Sequence, residues 1–395
     1  MNGRLRTEPT LARRALQRDT LRDQTRTPKL QTRPQTRNRE AMPAPEDAAA
    51  AAGAGGDGAP SGVPASLRAF LDGLIDYAGL FPPAALSLQE AMQNYARYRR
   101  EEHAGLLARF VLPVRRLPDL DDYAHLFAED ARSRRGQARP YRFSVLGTGG
   151  NTAEAFLEHF REDLDTIARF AERRQGRAAA DMMEAPLPPA LLDADADALG
   201  DFFAEVHRAL VMAGTARLDL YYEIPLTDDT IEAVPLATQA LSAHNAGQER
   251  PLRAEAGLKF RCGGDTASDF PAAGHLAHAI AACRDADVRF KATAGLHRPL
   301  RHRDNELGTY RHGFLNVFAA AAFAEAQGLG PGALREILLE ENADHFRFTP
   351  DAVAWKDRSA STAAIERTRE HLAASFGSCS FEEPVEALQG LGLLG

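Results

Sequence analysis

A (β/α)8 barrel preceded by a disordered N-terminal arm is the fold the sequence predicts, and three observations predict it. From Ser66 onward, short apolar β-type runs alternate with segments of 3.6-residue periodicity, the mark of repeated βα units and a parallel sheet. Eight such runs are present, the number that closes a barrel, whereas six or seven would suit an open doubly wound sheet. The 395 residues, less an arm of residues 1–65, exceed the roughly 250 that a bare barrel needs, so one barrel domain over 66–395 with long loops is expected.

The arm comes first. Residues 1–40 are rich in Arg, Thr and Gln, and residues 43–65 continue in Ala, Gly and Pro; neither stretch holds enough apolar surface to offset chain entropy. The basic part reads either as an arm for RNA or an anionic surface, or as a translated upstream leader with Met42 as the true start. The second reading is favoured.

The expected strands are Tyr77–Phe81, Arg109–Pro113, Tyr141–Leu146, Ala180–Glu184, Arg217–Ile224, Glu255–Cys262, Val288–Ala294 and His345–Phe348, the first and last carrying the weakest pattern. Helices are expected near 87–102, 119–134, 151–174, 195–213, 228–244, 269–284, 308–327 and 360–374. The helix near 151 illustrates the reasoning. Asn151 is placed to cap it, Glu154 follows three residues later, and Phe156, Phe160, Leu164 and Ile167 share one face that must lie on the sheet.

Composition narrows the function. Apolar residues make up 44% and charged residues 26%, an ordinary globular balance. Residues 1–40 hold eleven Arg or Lys against four Asp or Glu, so the formal net charge of −8 becomes −15 over the remainder. An acidic domain is a poor match for nucleic acid. No apolar run approaches the roughly 20 residues of a membrane span and no leader pattern stands out, so a cytoplasmic enzyme without membrane partners is expected. Cys262, Cys283 and Cys379 are too few and too far apart for a disulfide framework or a structural zinc site.

Lysine usage points to the chemistry. Of 47 basic residues only four are Lys, at 29, 259, 291 and 356. Arg replaces Lys readily for solvation but not where an amine must lose its proton. Lys259 and Lys291 fall on adjacent expected strands and share the pattern Lys-x-x-x-Gly, ending at Gly263 and Gly295. Alternation puts Arg261 on the face of Lys259, and Thr293 on that of Lys291. If both faces point into the barrel mouth, like-charge crowding and burial are expected to lower an amine pKa. The amine could then attack a carbonyl and form an iminium ion. The bland alternative is that each lysine pairs with a carboxylate or binds an anion without covalent chemistry.

At these residues the chain resembles class I aldolases of the deoxyribose-phosphate aldolase type. Lys291-Ala292-Thr293-Ala294-Gly295 is similar to the Lys-x-Ser/Thr-x-Gly motif that carries the Schiff-base lysine there, and Lys259-Phe260-Arg261-Cys262-Gly263 is a looser neighbour. The resemblance implies a (β/α) barrel and cofactor-free lyase chemistry at one of the two lysines. The two motifs stand in the reverse of the family's order, which leaves the nucleophile undecided between them.

Glu184 and Glu223 end the fourth and fifth expected strands; either can shuttle protons at a bound carbonyl or simply form a salt bridge to Lys259 or Arg261. The run Leu296-His297-Arg298-Pro299-Leu300-Arg301-His302-Arg303 is a cationic loop after the seventh strand, where barrels often bind phosphate, or else a solvated surface loop. His297, nearest the strand end, and Arg298 are the candidates for holding an anion. Gly147-Thr148-Gly149-Gly150 is a weak phosphate signal and more often a tight turn. The leading expectation is a lyase on a small anionic carbonyl compound, with Lys259 or Lys291 as nucleophile and Glu223 as acid/base, Arg261, Thr293, His297, Arg298 and Glu184 contacting substrate, and no cofactor. A metal-dependent barrel using Glu184, Glu223 and His297, and a non-catalytic anion-binding barrel, are the alternatives.

Overall fold

The computed structural model describes residues 62–129, 140–215, 217–247 and 255–395. The N-terminal arm up to residue 61, Met42 included, lies outside the described residues. Eight strands run parallel in a closed barrel: β1 (Ile75–Tyr77), β2 (Leu107–Pro113), β3 (Tyr141–Leu146), β4 (Ala178–Pro186), β5 (Asp219–Ile224), β6 (Ala256–Arg261), β7 (Phe290–Thr293) and β8 (Ala373–Ser378). Each strand pairs with its sequence neighbours, and β1 closes the ring against β8 through Ile75 opposite Phe376 and Asp76 opposite Gly377.

Strand alternation sorts the residues. Phe110, Phe143, Val145, Met183, Leu220, Tyr222, Leu258, Phe260, Phe290 and Phe376 join the apolar core shared with the helices. The alternate positions point inward and are mostly polar: Asp76, Ser144, Glu184, Lys259, Lys291 and Ser375 are all buried. Aliphatic layers usually fill such a barrel; here charge fills much of it.

Two end strands differ from expectation. β1 begins at Ile75, two residues before the expected start, and is only three residues long. The eighth barrel strand is not His345–Phe348. Phe346–Phe348 instead joins Ala352–Trp355 and Arg358–Ser361 in a separate antiparallel sheet. True β8, Ala-Ala-Ser-Phe-Gly-Ser, has small residues at most positions and a single large one, Phe376, so apolar patterning passes over it. Lys356 belongs to the separate sheet, in a left-handed turn, with its ammonium 3.0 Å from Glu340 and over the Trp355 ring.

Helix starts follow local chemistry. Ala153–Arg174 is capped by Thr152, not Asn151, through Thr152 Oγ1 accepting from the Ala155 amide, while Phe156, Phe160, Leu164 and Ile167 are buried as expected. Leu88–Tyr98 opens on a reciprocal capping box between Ser87 and Glu90. The segment expected as one helix near 119–134 begins instead as a 3-10 helix, Val114–Tyr123, containing Pro118, and continues as Ala124–Glu129. That expected near 308–327 begins as the second strand of a hairpin, His302–Asp304 with Thr309–Arg311, before the buried helix Phe314–Gln327. Among the described residues no helix is long and apolar enough to cross a membrane.

Candidate active site

The inward positions of five strands meet in one chain of ion pairs. Lys291 on β7 lies 2.7 Å from Asp76 Oδ2 on β1 and 2.5 Å from Glu184 Oε1 on β4. The other Glu184 oxygen is 2.8 Å from Lys259 on β6, and Lys259 is 2.8 Å from Glu223 Oε2 on β5. Arg261, 3.7 Å from Glu223 Oε1, ends the series at the carboxyl-terminal edge of the barrel. Two hydroxyls fix the inner carboxylates: Ser375 donates to Asp76 and Ser144 to Glu184, each at 2.5 Å. The Arg109 amide donates to the remaining Asp76 oxygen, and Met182 sulfur lies 3.4 Å from the Lys291 amine.

Register explains part of this. Glu223, Lys259 and Lys291 stand side by side on β5, β6 and β7 and therefore face the same way. Glu184 comes from β4 and reaches across the lumen to place a carboxylate between the two amines. Two ammonium groups thus meet three carboxylates, with the Arg261 guanidinium at the margin restoring balance.

The electrostatic consequence is opposite to the expected one. Burial alone would raise the Glu184 carboxyl, but Lys259 and Lys291 outweigh it and hold the group far below the usual carboxylate range. Burial alone would lower the Lys259 amine, but Glu184 and Glu223 outweigh it and push the amine above its ordinary value. Both shifts favour the charged forms of the pair. Like-charge crowding does not lower the amine, because Glu184 separates the two lysines.

Exposure distinguishes the lysines. The Lys291 side chain is wholly enclosed, at 0%, whereas that of Lys259 keeps 9% and its partner Glu223 keeps 19%. Lys259 is therefore the more exposed of the two buried amines.

The shared Lys-x-x-x-Gly pattern has a packing origin. A Cβ on Gly263 would stand 2.9 Å from the Gly295 Cα, and one on Gly295 would stand 2.9 Å from the Cys262 carbonyl oxygen. Gly295 also follows Ala294 in a second consecutive left-handed conformation. The two glycines let the loops after β6 and β7 touch.

The remaining expected residues are placed as follows. Thr293 is half-buried at the end of β7, and its hydroxyl would meet a Cβ on Gly377 at 2.9 Å. Arg298 is exposed. His297 Nδ1 sits 2.9 Å from Glu383 and 4.0 Å from the Cys379 sulfur, away from the ion-pair chain. The ligand set of Glu184, Glu223 and His297 is consequently not gathered: lysines occupy both Glu184 oxygens, and His297 turns to Glu383. Among the described residues no group of three or more His, Cys, Asp or Glu is arranged to hold a metal ion. In the Gly147–Gly150 turn, Asp163 accepts from the Thr148 amide and hydroxyl, and a Cβ on Gly150 would stand 2.3 Å from the Phe156 amide nitrogen, which marks a packed turn.

Three contributors escaped the sequence reading: Asp76, Ser144 and Ser375. Ser144 alternates with Arg142 and Leu146 inside an expected strand, so its inward direction was readable. Asp76 and Ser375 lie on the two end strands whose positions were misjudged.

Fold and site together define a parallel (β/α)8 barrel with a lysine–carboxylate chain along its interior. No family model matches the chain, and no curated protein matches it. Among solved structures it is similar to deoxyribose phosphate aldolase from Aeropyrum pernix, at 11% identity and a TM-score of 0.42, covering 84% of this chain and all of that one. It is similar also to Haloferax volcanii malate synthase, at 11% identity and a TM-score of 0.33, over 80% of this chain and 78% of that one. The magnesium/glyoxylate complex of the latter gives 12% identity and 0.32, over 74% and 87%. These likenesses are too low to bear on activity, and the barrel assignment rests on the strand order itself.

Proposed function

We propose that the chain is an aldolase-type lyase that acts on a small anionic carbonyl compound through a Schiff base on Lys259. One observation carries the reading: Lys259 is the more open end of a buried ion-pair chain, between two carboxylates at 2.8 Å, one of which is itself partly exposed. A bound substrate displaces water from this end. Desolvation then favours moving the ammonium proton to Glu223, since the transfer cancels two charges at once.

The neutral amine attacks the substrate carbonyl carbon, whose oxygen takes the proton back from Glu223 to give a carbinolamine. The nitrogen passes its second proton to Glu223, Glu223 hands it to the hydroxyl, and loss of that hydroxyl as water leaves an iminium ion. The iminium accepts the electron pair of the adjacent carbon–carbon bond as a hydroxyl on the departing fragment gives its proton to Glu223. Protonation of the enamine and addition of water release the second product and regenerate Lys259. Arg261 and Arg298 hold the anionic group, with Thr293 lining the approach. Lys291, held by Asp76, stays outside the covalent steps and helps keep Glu184 anionic and in place.

The competing reading is a barrel that binds an anion without covalent chemistry, and it is favoured by the strongly retained proton on Lys259. Borohydride treatment with a panel of small aldehydes and ketones, followed by peptide mass spectrometry, separates the two. The proposal expects a reduced adduct on Lys259 that Lys259→Arg abolishes along with all turnover. An adduct on neither lysine, with anion binding retained in Lys259→Arg, leaves the binding barrel.

A further inference from the structure

The opposite, amino-terminal end of the barrel holds a cavity of about 710 Å3. Small-molecule sites commonly span about 300–1,000 Å3. Its lining includes Arg109, Arg142, Asp219, Arg289, Arg369 and Ala374. Arg109 and Arg142 share Asp181, at 2.8 Å and 2.5 Å. Arg289 lies 3.1 Å from Glu255 and 3.8 Å from Asp219.

Arg369 is different. Its guanidinium donates to the carbonyls of Asp72, Gly73, Ala373 and Ala374, and among the described residues no carboxylate pairs with it. Burial, and after it the neighbouring Arg289, push Arg369 down to about 10. The Nε atoms of both arginines are buried without a hydrogen-bond partner. Arg369 thus brings a guanidinium with no paired carboxylate among the described residues to a cavity that Arg289, ion-paired to Glu255 and Asp219, also lines, and a cationic wall of this kind suits a phosphate group. Around the rim stand Asp72, Thr362, Glu366 and Glu370, acceptors that suit hydroxyl groups.

We propose that this cavity is a second binding site, for the phosphate ester of a small polyhydroxylated molecule, with its phosphate at Arg289 and Arg369 and its hydroxyls at the acidic rim. The site is distinct from the lysine chain. Between them lies a small buried cluster of Met182, Tyr221 and Ala374. The layer is thin: Ala374 lines the cavity, Met182 touches the Lys291 amine, and Ser375, next to Ala374, holds Asp76. This inference does not depend on the Schiff-base reading.

Calorimetric titration and thermal melting of the full chain with inorganic phosphate, glycerol 3-phosphate, ribose 5-phosphate and unphosphorylated ribose test it. The phosphate esters are expected to bind and raise the melting temperature, and ribose is not. Arg369→Gln, which removes a guanidinium, and Ala69→Trp, which fills the cavity while leaving the arginines in place, should each weaken binding at least about tenfold. Lys259→Met should leave it unchanged. The proposal is overturned if no ester binds at millimolar concentration, if Ala69→Trp binds as well as the parent, or if Lys259→Met abolishes binding. Ala69→Trp keeps the test decisive should Arg369→Gln fail to fold.

Discussion

The two ends of the barrel interior are both lined with charge, yet they are built from different cations. Toward the carboxyl ends of the strands, lysines touch carboxylates at 2.5 to 2.8 Å, and Glu184 is held strongly ionised despite complete burial. Toward the amino ends the cations are arginines. There Asp219, 3.8 Å from Arg289, has its carboxyl pushed up by burial, against the attraction of the guanidinium. Contact at hydrogen-bond distance overcomes desolvation, and an ångström more does not. Arginine supplies a fixed charge, whereas lysine supplies one that can be given up. The end that holds lysines is therefore the end equipped for proton transfer.

The largest expected effect comes from breaking the inner link at the lysine end. Lys291→Met leaves Asp76 and Glu184 facing one another in an enclosed interior. Loss of one partner of a buried pair costs about 3–5 kcal/mol. At the arginine end, Asp181→Asn removes the carboxylate shared by Arg109 and Arg142, but Asp181 keeps 27% side-chain exposure, so water replaces part of what is lost. A cost of about 1–3 kcal/mol is expected there. Urea denaturation of both variants checks the ranking, and equal losses would remove the distinction between the ends.

How much of this was legible in the sequence depends on which residues carry it. Lys259 and Lys291 stand out because arginine has replaced lysine nearly everywhere else, and strand alternation correctly puts both on one face. Glu223 follows from the same register. The sign of the Lys259 shift was not legible, because it depends on Glu184 reaching over from β4, and side-chain reach across a lumen leaves no trace in spacing. Asp76 and Ser375 were hidden for another reason. A three-residue strand and a strand of mostly small residues give too little apolar pattern to place, so inward positions on them cannot be counted. The Lys-x-x-x-Gly repeat was visible, but its glycines reflect loop contact and not chemistry.

The ends should also separate by pH. Glu184 is depressed in the folded chain, so its contribution is present above the ordinary carboxylate value of 4.5 and is lost as pH falls through the folded value. Lys259 is raised, so its contribution is present below 10.5 and is lost as pH rises through the folded value. The lysine end therefore stabilises over a plateau bounded by those two values. Asp219 runs the other way: raised by burial, it favours the fold at low pH and loses that contribution as pH rises through its folded value. Stability measured from pH 3 to 11 in Lys259→Met should decline less on the alkaline side than the parent. Asp219→Asn should leave the alkaline limb unchanged. An alkaline limb identical in Lys259→Met and parent would show that Lys259 is not held protonated by its neighbours.

The smallest effects fall on the outermost guanidinium at each end, and there the comparison turns from stability to function. Arg142 is 45% exposed and bonded to Asp181 at 2.5 Å, while Arg261 is 54% exposed and 3.7 Å from Glu223. Exposed ion pairs contribute about 0–1 kcal/mol, so Arg142→Gln should cost a few tenths and Arg261→Gln almost nothing in denaturant melts. Their functional consequences differ in kind. Arg261 adjoins Glu223, the proposed proton acceptor, at the end that holds Lys259, so Arg261→Gln should lower the yield of borohydride-trapped adduct on Lys259 without altering the melt. Arg142→Gln should leave that yield untouched, since the Met182, Tyr221 and Ala374 layer lies between it and the amine. Equal trapping yields in the two variants would mean that the mouth of the barrel does not use Arg261 to hold its ligand.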